Sequence, residues 1–323
     1  MSGAPIALGL VGCGRLATAG YLPAFAATTD VRLAAVADPE PTRRATVASL
    51  VASGTSDAGS VATFADATAL LDGIEVEGLI LATPAAAHLA DAVVATQAGV
   101  AVLVEKPPAP DAAGAAALAA LEPAPWVGFN RRFDPGAEAL RQLVPADRDV
   151  DLRLEISYRR RSWGAHAVRD DALLDLGPHL VDCARWISSG DAVEVRCTEL
   201  SAERARLELT LTRGRAVVRA ATDRPHREIV DLRDGAGTLL ARHRLGGRVA
   251  AVRARLARGS GVNPLVVSLT GQLRAFAATI HDAHPSALGS AADGLAAMSV
   301  VDAARTSAAR SGRPVPVTQP VGR

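Results

Sequence analysis

The chain has 323 residues, 49% of them apolar, and its 35 basic side chains nearly balance 34 acidic ones, leaving a net charge of +1. That length suits two domains, each with its own core. The balanced charge and 3% aromatic content speak against a nucleic-acid or base-stacking surface and against an electrostatic membrane anchor. Cys13, Cys183 and Cys197 show neither metal-ligand nor disulfide spacing, no apolar run is long enough to span a bilayer, and the N-terminus enters a strand without a charged leader. A cytoplasmic protein without a metal is expected.

Ile6 to Val11 reads as a buried strand, followed by Gly12-Cys13-Gly14-Arg15-Leu16-Ala17 and a helix to about Ala27. This is G-x-G-x-x-A between strand and helix, the setting in which a glycine-rich turn holds a dinucleotide. Gly12 allows the tight turn and Gly14 lets the backbone approach a pyrophosphate. Arg15 and Leu16 open the helix whose free N–H groups favour anions. A second strand, 31–37, ends at Asp38, placed to accept hydrogen bonds from the adenosine ribose and to repel a 2′-phosphate. NAD is therefore expected, with Arg43 and Arg44 leaving NADP as the alternative.

The alternation continues with a strand at 78–82 ended by Thr83-Pro84, a helix at 86–98 that carries His88, a strand at 100–104, a helix at 111–121 and Trp126-Val127-Gly128-Phe129. This predicts a doubly wound parallel sheet, whose ligands bind at the carboxyl ends of the strands. Gly12, Asp38, Thr83 and Lys106 all fall at such ends. Lys106 is also the sole lysine against 34 arginines. A point-charge ammonium suits a reacting hydroxyl in a way that a planar guanidinium fork does not. His88 serves either the cofactor or its local backbone.

The second domain, 131–323, opens with strict alternation of Val150, Leu152, Leu154, Ile156 and Tyr158 with polar residues, a strand with one wet or interface face. Further strands are expected at 192–200, 204–212, 215–221, 227–233 and 238–244, giving an open, mostly antiparallel sheet with helices on one face. The helix at 171–188 sets Asp175, His179, Asp182 and Trp186 on one face, opposite Leu173, Leu176, Leu180, Ala184 and Ile187. A carboxylate and an imidazole one turn apart form an acid/base pair or a solvated face. Gly177 and Pro178 weaken the helix, which suggests close approach of a ligand. The run Arg159-Arg160-Arg161-Ser162-Trp163 lines a pocket or is solvated. The same choice applies to 245–262, with Arg248, Arg253, Arg255 and Arg258.

These motifs together resemble the Gfo/Idh/MocA oxidoreductases, named for glucose–fructose oxidoreductase and inositol dehydrogenase. The resemblance rests on Gly12-x-Gly14-x-x-Ala17, Ala82-Thr83-Pro84 with His88, Glu105-Lys106-Pro107, Gly128-Phe129-Asn130-Arg131-Arg132-Phe133, Asp175-Leu176-Gly177-Pro178-His179-x-x-Asp182 and Asp302-Ala303-Ala304-Arg305-x-Ser307. It implies a Rossmann domain, 1–130, plus an α/β domain, and hydride exchange between nicotinamide and a sugar or cyclitol carbon. By motif, Lys106 hydrogen-bonds the reacting hydroxyl, Asp175 positions the substrate and His179 takes the proton. Gly12, Gly14, Arg15, Leu16, Asp38, Thr83, Pro84, His88 and Glu105 form the cofactor set. Lys106, Asn130, Arg131, Trp163 and Asp182 form the substrate set. A homo-oligomer, dimer or tetramer, through the open sheet is implied as well. A hydrolase or internal redox enzyme with tightly held NAD, or a regulator that keeps only the nucleotide site, is the alternative. One departure is Arg169-Asp170-Asp171, where many members have glycines; the acidic pair is expected to cap the helix.

Overall fold

The computed structural model describes residues 4–54, 61–163, 170–246, 263–280 and 287–318. They form two compact units, Met1–Phe133 with Asn263–Ala291, and Asp134–Val262 with Ala292–Arg323. The first break falls three residues beyond the expected 130. The segment 263–291 returns to the first unit rather than staying with the second.

In the first unit β1 (Ile6–Val11), β2 (Val31–Ala37), β3 (Ala62–Phe64), β4 (Gly78–Leu81), β5 (Ala101–Glu105) and β6 (Trp126–Gly128) pair in parallel in the order β6-β5-β4-β1-β2-β3. A two-residue strand, Gly289–Ser290, adds antiparallel to β6. Strands β1, β4 and β5 are buried almost throughout, as expected where helices cover both faces. Strand order reverses at β1, which lies between β4 and β2, so the chain leaving β1 sits at the switch point where such sheets bind ligands. Helices α1 (Leu22–Ala26), α2 (Pro41–Gly54), α3 (Ala67–Gly73), α4 (Ala85–Gln97) and α5 (Ala112–Ala119) connect the strands. Sequence periodicity passes over β3, whose three residues are only partly buried and carry no apolar run.

The returning helix Pro264–Ile280 explains the longer boundary. Its Leu269, Leu273 and Phe276 are fully buried and pack with Leu8, Leu10, Tyr21 and Phe25 in one core. Burying three large side chains contributes roughly 1.5–3 kcal/mol each. That outweighs the entropic cost of closing a long loop, which grows only slowly with length.

In the second unit β7 (Val150–Arg159), β8 (Ala192–Leu200), β9 (Arg204–Leu211), β10 (Gly214–Ala221), β11 (Asp223–Asp234) and β12 (Leu239–Gly246) form a sheet in the order β12-β11-β7-β10-β9-β8, with Val315–Pro316 at the β8 edge. All neighbours are antiparallel except β10 and β7. Hairpin turns join β8 to β9 to β10, and the third strand of that meander then lies alongside β7. Gly214 starts β10 at φ +96°, and a Cβ there would stand 1.9 Å from the Val150 carbonyl oxygen, so only glycine fits this contact.

Two helices of this unit precede the meander, α6 (Pro135–Gln142), capped by Asp134, and α7 (Ala172–Ser188). The buried alternate residues Leu152, Leu154, Ala216, Val218, Leu207 and Leu209 face α7. Most of the other alternate positions carry charge. Arg153 pairs with Glu155 at 3.3 Å, Arg206 with Glu208 at 3.3 Å, and Arg242 grips Asp231 at 2.6 and 2.8 Å. No helix among the described residues is long and apolar enough to cross a membrane.

Candidate active site

The glycine-rich turn is built as its spacing requires. Gly12 has φ +101°, and a Cβ on it would meet Ala82 O, Ala82 C and Thr83 N at 2.5–2.9 Å, so β1 and the end of β4 touch here through glycine alone. At Gly14 an added Cβ would meet nothing within 4 Å, leaving open space above the backbone. The helix that follows is not regular: Ala17–Tyr21 is a π-helix turn before α1. Such turns recur at functional sites.

Asp38 is nearly buried, and its carboxylate accepts the Cys13 N–H at 2.9 Å and the Glu40 N–H at 2.9 Å. It therefore ties the turn to the end of β2 while keeping further lone pairs for a ribose hydroxyl. Arg44 donates to the Asp38 carbonyl, and the Arg43 guanidinium lies 4.0 Å from the carboxylate. Both arginines thus lie against Asp38, one at its carbonyl and one beside its carboxylate. Burial, then the charge of Asp38, pushes the Cys13 thiol up to about 11, so the turn cysteine stays neutral. The glycine geometry, the open space at Gly14 and the acidic residue closing β2 fit a dinucleotide such as NAD.

Thr83 donates its hydroxyl to Asp91 at 3.2 Å, and exposed Pro84 caps α4. His88 lies inward. Its Nδ1 is 3.1 Å from the Pro108 carbonyl oxygen and its Nε2 2.8 Å from that of Thr83, while burial pushes the imidazole below its ordinary value. Of the two roles open to it from the sequence, cofactor or local backbone, these contacts are of the second kind: the ring holds the loops after β4 and β5 together. Asn130 also turns inward, donating to the Ser268 hydroxyl at 3.3 Å, while Arg131 is half-buried in the short 3₁₀ turn Asn130–Phe133.

Lys106 leaves β5 half-exposed, next to a carboxylate that is almost wholly buried. Glu105 was expected among the cofactor residues. Its Oε1 accepts the Tyr21 hydroxyl at 2.5 Å and the Gln272 amide at 3.4 Å, and its Oε2 accepts the Lys106 N–H at 3.2 Å. The Gln272 amide also donates to the Tyr21 oxygen at 3.0 Å. Burial pushes the Glu105 carboxyl above its ordinary range, opposed by the Tyr21 hydrogen bond and the charge of Lys106. Burial, then the charge of Glu105, holds the Tyr21 phenol well above its own range. Gly128 makes room, since a Cβ there would stand 2.8 Å from Glu105.

In the second unit α7 carries Asp175, His179 and Asp182 as the spacing predicts. Asp171 caps the helix, accepting the Leu174 N–H at 2.8 Å, as expected for the acidic pair. Asp175 lies in the first turn and accepts hydrogen bonds at the same oxygen from the Tyr158 hydroxyl and from Arg160, the latter at 3.2 Å. Arg160 is thus a partner of Asp175 rather than a solvated charge, although its neighbours Arg159 and Arg161 are exposed. His179 is 7% exposed, one turn along. Asp182 is fully buried, which favours support of the helix face over contact with a substrate hydroxyl. At Gly177 a Cβ would meet the Leu173 side chain at 2.9 Å and Val301 at 3.8 Å. The side chain of Trp163 and nearly all of 245–262, with Arg248, Arg253, Arg255 and Arg258, lie outside the described residues. Tyr21, Gln272, Tyr158 and Arg160 carry no motif of their own; only the contact with a motif carboxylate marks them.

Residues 6–124 match the family model for the oxidoreductase family with NAD-binding Rossmann fold. The chain is similar to inositol 2-dehydrogenase 2 of Saccharopolyspora erythraea, 28% identical over 192 residues, covering 58% of this chain and 55% of that protein. It is similar to inositol 2-dehydrogenase of Pseudomonas fluorescens, 30% identical over 195 residues, covering 58% of this chain and 56% of that protein. The chain thus matches a little over half the length of these relatives. Among solved structures it resembles scyllo-inositol dehydrogenase from Lactobacillus casei with bound NAD(H) and scyllo-inositol, with TM-score 0.77, 17% identity and coverage of 97% of this chain and 99% of that one. That likeness is one of fold.

Proposed function

We infer that this chain, whose residues 6–124 match the oxidoreductase family with NAD-binding Rossmann fold, is an NAD-dependent dehydrogenase of the Gfo/Idh/MocA kind that acts on a hydroxyl-bearing carbon of a cyclitol or a related sugar. The observation that carries this reading is Lys106. It is the sole ammonium side chain of the protein, and it sits at the carboxyl end of β5 in the sheet whose β1 ends in the dinucleotide turn.

Gly12, Gly14, Arg15, Leu16, Asp38, Thr83 and Pro84 would hold the cofactor, and NAD when bound supplies the hydride acceptor. Oxidation of a secondary alcohol also requires loss of the hydroxyl proton. We assign that proton to His179, which suits a general base at neutral pH. Lys106 donates to the same hydroxyl oxygen and stabilises the negative charge that grows there. Asp175 accepts from a neighbouring hydroxyl and fixes the polyol in register. The relatives named as inositol 2-dehydrogenases support a cyclitol as the first substrate to try. The charged, ion-paired face of the second sheet is the proposed homo-oligomer surface, and a cytoplasmic setting is consistent with three buried free cysteines.

The test is nicotinamide reduction with NAD and NADP in parallel across cyclitols, aldoses and sugar acids. Turnover with a cyclitol or sugar and a preference for NAD is expected. Demonstrable NAD binding with no turnover across the panel would overturn the dehydrogenase reading, and a preference for NADP would reassign Arg43 and Arg44 as phosphate ligands.

A further inference from the structure

The group behind Lys106 is unusual in its composition. Glu105 is 5% exposed and is held by two neutral donors, Tyr21 and Gln272, both fully buried. The three residues come from β5, the π-helix turn after the dinucleotide motif, and the helix Pro264–Ile280. Core packing alone would not select this set, because a buried carboxylate costs several kcal/mol unless its lone pairs are satisfied. An apolar trio of similar volume would hold the same three elements together at less cost. A Gly at 128, against which the carboxylate lies, completes the cradle.

We propose that Tyr21, Gln272 and Glu105 form a buried clamp that positions Lys106, with Tyr21 and Gln272 acting as positioning residues through the Glu105 carboxylate. Two physical links connect the clamp to the lysine. The Lys106 main-chain N–H is hydrogen-bonded to Glu105 Oε2, which fixes the backbone from which the side chain departs. The Glu105 charge also interacts with that of Lys106 across a region of low dielectric, where it is screened less than in water. The two side-chain donors are neutral, and Lys106 is the cation that acts on this carboxylate, second to the Tyr21 hydrogen bond. The π-turn places Tyr21 for this purpose, and the same turn follows the cofactor motif directly. The inference rests on the reading of Lys106 as the hydroxyl donor only for its effect on turnover.

The single lysine makes the clamp measurable without any substrate. Reductive ¹³C-methylation labels Lys106 and the chain's α-amino group alone, and a Lys106→Arg sample identifies the lysine resonance. In the wild-type protein that resonance should show, besides its own titration, an inflection from Glu105 at a pH above the ordinary carboxylate value of 4.5. Glu105→Gln should abolish the inflection. Tyr21→Phe and Gln272→Leu should each move it to higher pH, because a carboxylate that loses a donor is harder to ionise. Leu269→Val, a buried change one turn away on the same helix, should lower the melting temperature and leave the inflection in place.

A wild-type resonance with no inflection outside its own titration would overturn the proposal, and that result needs no variant to fold. So would an inflection that persists in Glu105→Gln, or one that Tyr21→Phe and Gln272→Leu leave unmoved. A normal clamp titration together with failure of the substrate panel would fault the dehydrogenase reading alone. If both hold, Tyr21→Phe should lower kcat by about tenfold with little change in KM for NAD, since misplacement of a catalytic donor acts on the chemical step.

Discussion

Glu105, next to Lys106, and Asp175, assigned to the substrate, are two carboxylates held by opposite means. Glu105 is buried on the first unit between neutral donors. Asp175 lies nearer solvent on the second unit and shares one oxygen between a phenol and a guanidinium. A neutral clamp preserves the charge of a carboxylate for its one ionic neighbour, whereas an arginine largely cancels it and fixes its orientation. The first arrangement suits tuning an ammonium. The second suits aiming a hydrogen-bond acceptor. The same side-chain chemistry is thus put to electrostatic use in one unit and to geometric use in the other.

The largest expected effect comes from changing the cation that the neutral clamp serves. Lys106→Arg keeps the positive charge but replaces a point donor with a fork that is bulkier and cannot donate from one vertex. Turnover should fall on the order of 100-fold or more, with NAD affinity by fluorescence titration close to wild type. Turnover like that of the wild type would mean that charge alone matters at this position, and the electrostatic half of the comparison would lose its basis.

The geometric half is tested at Arg160. Arg160→Gln leaves Asp175 the Tyr158 hydroxyl, a neutral partner, and removes the guanidinium that aims it. KM for the polyol should rise by roughly tenfold while KM for NAD stays put. Arg160→Lys keeps the charge but not the fork, and should recover only part of the loss. Full recovery with lysine would show that Asp175 needs a neutralising charge and not an aimed one, which would make the two carboxylates alike.

Much of this frame was open to sequence reading because it depends on local rules. The glycine spacing, the strand ends and Asp38 are short-range features, and so is the alternation that located β7 to β12 within a residue or two for most strands. The clamp was not legible. Tyr21 and Gln272 are 251 residues apart, and nothing in either neighbourhood marks it as a partner of Glu105. The return of 263–291 to the first unit escaped for the same reason: an apolar helix declares that it will be buried but not against which core. The parallel pairing of β10 with β7 was hidden too, since alternation fixes the face of a strand and not its neighbour. Motif position put Glu105, and as one of two roles His88, toward the cofactor, but it did not show that both side chains are buried.

A smaller effect follows from the burial of Glu105. Its folded value is raised above 4.5, so the stability it contributes is fully present below 4.5 and is lost as pH rises through the folded value. Glu105→Gln removes that loss. The difference in melting temperature between the variant and the wild type should therefore grow with pH above 4.5 and level off once the native carboxylate is ionised. The variant should be more stable at neutral pH and less active, which separates what the charge does for function from what it does for folding. A difference that is flat with pH would mean that Glu105 titrates in the folded protein as it does in the unfolded chain, and the contrast with Asp175 would rest on hydrogen bonds alone.

The smallest effect belongs to Gly177, two residues from both Asp175 and His179. Its position invites the view that glycine is there to admit a ligand, but the neighbours of an added methyl are Leu173 of the same helix and Val301. Gly177→Ala gains about 1 kcal/mol in helix propensity, while a Cβ at 2.9 Å from Leu173 requires that flexible side chain to shift, at a cost of similar size. Net stability should change by less than about 1 kcal/mol in either direction. KM for the polyol should be unchanged, because the methyl enters the packing between α7 and Val301. A strong rise in KM with an unchanged melting temperature would place the substrate against this turn of the helix. Asp175 would then owe its aim to backbone clearance at Gly177 as much as to Arg160.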